Sequence, residues 1–137
     1  MRRTFAVSVT ALALAAAGCG GDDDSEEAVE ESAATPRQAV AEIAEVREGL
    51  DAGLVAYRKG EAEEAEQLVG DAYLEHFELV EGPLEDRDEE LNEELEVLIS
   101  TTIRDAIKEG EPAEQVASLV KEANGGLDEA ESELGRG

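Results

Sequence analysis

The chain of 137 residues carries 36 acidic against 11 basic side chains, a formal charge of -25, with 42% hydrophobic but only 3% aromatic residues. That length fits one small domain, and the charge opposes binding to nucleic acid or docking on an anionic membrane surface, since both require clustered Lys and Arg. Cations and basic protein surfaces are the partners that remain.

The first predicted element is a targeting segment. Arg2 and Arg3 form a basic start, and Phe5 to Ala17 is an apolar run too short for a membrane-spanning helix. Ala16-Ala17-Gly18-Cys19 resembles the lipobox of bacterial lipoprotein signal peptides, with Ala16 where that family usually has Leu. The resemblance implies that residues 1–18 are removed and that Cys19 becomes the lipid-bearing first residue, anchored on the extracytoplasmic face of a bacterial membrane. Cys19 is the only cysteine, so neither an intrachain disulfide nor a Cys-x-x-Cys zinc site can form. Arg2-Arg3-Thr4-Phe5 also looks like a twin-arginine signal, and an ordinary secretory signal would leave the thiol unexplained. Residues 19–35 follow as an acidic tether with one large apolar residue, Val29, and are expected to be disordered.

Four amphipathic helices are predicted in residues 36–137. Helix 1 begins with Thr35 as N-cap and Pro36 at the first helical position, places Val40, Ile43, Leu50, Leu54 and Tyr57 on one face, and ends at Gly60. Helix 2 starts near Glu61, carries Ala62, Ala65, Val69, Ala72, His76 and Val80 along one stripe, and stops at Gly82-Pro83. Its leading small residues permit close approach to a neighbour. Helix 3 runs from about Leu84 or Asp88 to Glu109 with Leu91, Leu95, Leu98, Ile99, Ala106 and Ile107 inward, and Gly110 stops it. Helix 4 opens at Pro112 and shows Val116, Ala117, Val120, Ala123, Leu127 and Leu134, with Asn124-Gly125-Gly126 as the place where it would kink or break. Short connections between such helices imply an all-α, up-down-up-down four-helix bundle. A tetratricopeptide scaffold is suggested by Tyr57-Arg58-Lys59-Gly60 with Ala62 and Ala65, but the second copy is missing.

Candidate chemistry concentrates between Gly70 and Glu96, where Tyr73, Phe77, the only histidine and many carboxylates coincide. Catalysis is not expected, because a lone imidazole and a cysteine committed to lipid leave no nucleophile with a base. Metal binding suits the residue types better: carboxylate oxygens favour hard cations, and Glu75, Glu78 and Glu81 step by three along one helix edge. The same spacing also describes a solvated surface. His76, in the apolar stripe, reads either as a neutral core histidine or as a shielded ligand. Asp88 reads either as a helix cap or as a carboxylate facing Glu78 and Glu81 across the Gly82-Pro83 turn.

The run Ala72-Tyr73-Leu74-Glu75-His76-Phe77-Glu78-Leu79-Val80-Glu81, with Leu84, Asp88, Leu91 and Glu96, resembles the extracytoplasmic helical domain attached to bacterial high-affinity iron permeases. What the resemblance implies is iron handling outside the cytoplasmic membrane, with Glu78, Glu81, Asp88 and Glu96 as the matching acids; Glu75 and His76 are further candidate ligands from the residues alone, His76 standing at a position that the family does not fix. Those permeases also carry membrane helices with an Arg-Glu-Gly-x-Glu motif. Here Arg47-Glu48-Gly49-Leu50-Asp51 falls in an amphipathic segment and ends in Asp, so transport by this chain alone is not expected. The expected function is a lipid-anchored accessory protein that binds iron or another hard cation or delivers it to a permease. The alternative is a non-metal helical interaction or structural lipoprotein that meets basic partner surfaces.

Overall fold

Thr35 sets the start of the folded region. Its hydroxyl accepts a hydrogen bond from the Gln38 N–H at 3.3 Å, and the Gln38 side chain accepts from the Thr35 N–H at 2.9 Å, a reciprocal cap completed by Pro36 in the first turn. The computed structural model describes residues 34–136, so the expected signal peptide, Cys19 and all but the last residues of the expected tether lie outside the described residues. Within them the chain is all-α and bundle-like, with four helices and no strand.

α1 is Pro36–Arg58. α2 spans residues 62–85 as Ala62–Asp71, a π turn at Ala72–Phe77, and Glu78–Glu85. α3 spans residues 89–108 as Glu89–Val97, a second π turn at Leu98–Thr102, and Ile103–Lys108. α4 is Ala113–Gly135. Gly60 and Gly110 adopt left-handed φ of 86° and 71° just beyond α1 and α3, a backbone state that costs a side-chain-bearing residue more than glycine. α1 packs against α2 and α4, and α3 against α2 and α4. The shared core is built on Ile43, Val46 and Leu50, Val69, Phe77 and Val80, Leu95, Ile99 and Ile103, and Val120 and Leu127.

Two expectations about the helices, the end of α2 and its buried stripe, are corrected, and the open question of a break in α4 is answered. α2 does not stop at Gly82-Pro83 but continues to Glu85; Pro83 sits inside the helix with its ring buried, and packing offsets the backbone hydrogen bond that its missing N–H removes. α4 passes through Asn124-Gly125-Gly126 unbroken. Gly126 is useful there, because a Cβ at that position would stand 2.8 Å from Leu95 Cδ2. His76 does not lie on the buried stripe of α2, and Ala62 is exposed.

The π turn explains the displaced histidine. The buried apolar stripe on α2 runs Ala65, Val69, Ala72, Phe77, Val80 and Leu84, with one step of five residues between Ala72 and Phe77. On an ideal α-helix a five-residue step turns a side chain roughly 140° away from its predecessor, whereas the wider turn brings Phe77 back to the core. His76 is thereby rotated off it. In α3, Leu91, Leu95, Ile99, Ile103 and Ile107 are buried at strict four-residue spacing, which drifts roughly 40° per step in an α-helix. The turn at Leu98–Thr102 takes up part of that drift, and the Thr102 hydroxyl donates to the Val97 carbonyl five residues back at 3.2 Å.

The α1–α2 seam is made of small residues. A Cβ at Gly49 would lie 2.6 Å from Ala72 Cβ, and one at Gly53 would lie 2.8 Å from Val69 Cγ2 and 3.2 Å from the Ala65 carbonyl oxygen. Gly49 therefore serves helix contact, while Arg47 beside it reaches Asp128 and Glu131 of α4. The Arg47–Asp51 segment is accounted for by packing.

Candidate functional site

The predicted acids divide into a group that meets at the α2–α3 face and others held elsewhere. At the centre of the group is Glu81, half-buried, whose Oε1 accepts a hydrogen bond from the Tyr73 hydroxyl at 2.7 Å. Tyr73 is held in place because its ring stacks on fully buried Phe77, with centroids 5.9 Å apart and planes 29° from parallel. Burial raises the Glu81 carboxyl above the usual carboxylate range, and the charges of Glu96, Glu78 and Glu85 raise it further against the opposing Tyr73 hydrogen bond. The Tyr73 hydroxyl is likewise pushed well above the ordinary phenol value, by burial first, then by its bond to Glu81 and the charges of Glu81, Glu96 and Glu78. Glu78, Glu81 and Glu96 thus share one electrostatic neighbourhood around Tyr73.

The remaining candidates have other tasks. Asp88 is the N-cap of α3, its carboxylate accepting from the Leu91 N–H at 3.0 Å, which is the capping alternative read from the sequence. His76 Nδ1 lies 2.8 Å from Glu42 Oε2, tying α2 to α1. Glu75 is exposed. Among the described residues no three His, Cys, Asp or Glu side chains are gathered closely enough to hold a metal ion. The oxygen donors of Glu78, Glu81, Glu96 and Tyr73 suit a hard cation in kind, but they are not drawn into a coordination shell.

Two further features escaped the sequence reading. Glu66 on α2 is paired with Arg104 Nη2 at 2.8 Å and Lys108 Nζ at 3.0 Å on α3, and the hydrogen bond from Arg104 leads in holding its carboxyl below the usual range. Arg104 crosses over buried Gly70, where even a Cβ would stand at an ordinary contact distance of 3.6 Å from the guanidinium. The second feature is a groove of about 830 Å³ between α3 and α4, with Leu91, Leu95, Leu98 and Leu119 in its lining. Glu90, Glu93, Glu94, Glu122 and Glu129 also line it, and no Lys or Arg does so among the described residues. Val97, another lining residue, is 57% exposed.

None of the described helices is long and apolar enough to cross a membrane. Comparison with known protein families, curated proteins and solved structures returns no match for this chain.

Proposed function

We propose that this chain is a lipid-anchored extracytoplasmic accessory protein, held through Cys19, that binds iron or another hard cation or delivers it to an iron permease. Its frame in this reading is an up-down-up-down four-helix bundle, supported by the short connections between successive helices that pack together. The observation that carries the metal reading is Glu81: a half-buried carboxylate among Glu78, Glu85 and Glu96 is costly as an anion, and a bound cation would offset that cost. Glu78, Glu81 and Glu96 are the proposed ligands, with side-chain rotation needed to complete a site. Asp88 supports the group by capping α3 beside it.

The test is a thermal shift series with iron(III) or calcium at fixed ionic strength. A ligand that binds only the folded state stabilises it by about 2.7 kcal/mol at a hundredfold excess over its Kd. The metal-induced rise in Tm should be largely lost in Glu81→Gln and Glu78→Gln but kept in Glu63→Gln, which lies roughly 27 Å away along α2. Equal shifts in all variants would show diffuse screening and overturn the metal site. The second reading, an interaction lipoprotein without a metal, is supported by the open, acid-lined groove between α3 and α4.

A further inference from the structure

We infer that the α3–α4 groove is a docking site for a cationic amphipathic α-helix of another protein. This inference rests on the interaction reading and is independent of metal binding. Leu98 and Leu119, partly exposed above buried Leu91 and Leu95, supply an apolar floor of the kind that buries one face of a helix, and Val97 leaves further apolar surface exposed beside it. From Leu91 to Thr102 the lining follows α3 for roughly 16 Å, room for about three turns of an incoming helix.

Charge selects the occupant. Five glutamates line the groove with no neighbouring Lys or Arg in that lining, so a helix bearing Lys or Arg beside its apolar stripe satisfies both parts of the surface. A second copy of this chain would bring another acidic surface from a molecule of formal charge -25. Residues 20–33 of the same chain hold seven acids beyond Gly21 and no base, and would be repelled likewise.

The probe is a synthetic, fluorescently labelled helix of about five turns, with leucines along one face and lysines on the other. Its binding to the purified full-length chain is followed by anisotropy in EDTA, which removes metal and separates failure here from failure of the metal reading. Wild type should bind, with affinity falling as salt rises. Val97→Asp and the pair Glu94→Lys with Glu122→Lys should each weaken binding about tenfold or more, equivalent to about 1.4 kcal/mol. These three positions are exposed, and unchanged circular dichroism would show that the fold is kept. Glu63→Lys with Glu64→Lys, away from the groove, should leave affinity within about twofold.

Equal binding by a scrambled peptide of the same composition, or equal weakening by the Glu63 and Glu64 variant, would reduce the effect to general attraction and overturn the inference. It would also be overturned by a dimer in sedimentation that Val97→Asp dissociates, which would make a second copy the occupant. A peptide of residues 2–17 binding the groove as tightly as the leucine–lysine helix would overturn it as well, in favour of the chain's own segment.

Discussion

The two helix pairs of this molecule solve the same packing problem in opposite ways. Along α1–α2, Gly49 and Gly53 meet Ala65, Val69 and Ala72, so the backbones approach and the seam closes. Along α3–α4, leucines line the contact and a single glycine, Gly126, admits Leu95, leaving a groove beside it. Leucine content is therefore a poor guide to closure. What decides it is whether small residues recur at helical spacing on the meeting faces, since each pair carries six leucines and only the glycine- and alanine-lined one closes.

The comparison can be broken most severely at the closed seam. Gly49→Leu should cost about 3 kcal/mol, because the new side chain meets Ala72 Cβ, which has no rotamer through which to yield. Urea unfolding followed by circular dichroism would measure it as a lower midpoint, and an unchanged midpoint would mean that the seam is looser than described. Alanine scanning of three glycines sharpens the contrast. Gly49→Ala should destabilise by about 1 kcal/mol despite its gain in helix propensity, whereas Gly126→Ala should cost less, since the atom met first is Leu95 Cδ2 at the end of a side chain, with Cγ next at 3.3 Å. Gly125→Ala, with open space around it, should stabilise by about 0.5–1 kcal/mol. The order of the three midpoints is the readout.

The smallest effect separates two carboxylates on α2 by pH. Glu66 has a lowered folded pKa, so its favourable contribution is full above its unfolded value and is lost as pH falls through the folded one. Glu81 has a raised folded pKa: its penalty is full at neutral pH, lifts as pH falls through the folded value, and is gone below the unfolded one. Relative to wild type, Glu81→Gln should lose an advantage on acidification while Glu66→Gln loses a deficit. Unfolding midpoints from neutral pH into the carboxylate range would show slopes of opposite sign; parallel slopes would mean that net charge alone governs both.

Much of the fold was legible because its signals are local. The Thr35-Pro36 cap, the glycines after α1 and α3, and the repeats through Leu91, Leu95, Ile99 and Ile107 each depend on residues within a few turns. The site was less so. Tyr73 and Glu81 are eight apart, roughly 80° from alignment on an ideal α-helix, and the π turn between them narrows that gap. The same turn took His76 off the stripe where regular spacing put it. Glu42, its partner, comes from another helix and leaves no mark in local spacing. The groove is equally non-local, since Leu119 and Gly126 face α3 only through tertiary packing.

The wide turn in α2 also governs how this protein can vary in length. Elsewhere in a helix, deleting one residue swings everything beyond it by roughly 100° and scrambles the buried face. At Ala72–Phe77 the helix already holds one residue more than an α-helical register needs. A homologue lacking one residue there would form an ordinary α-helix with Ala65, Val69, Phe77 and Val80 still inward, making this turn the point in α2 where evolution can shorten the chain without repacking the core.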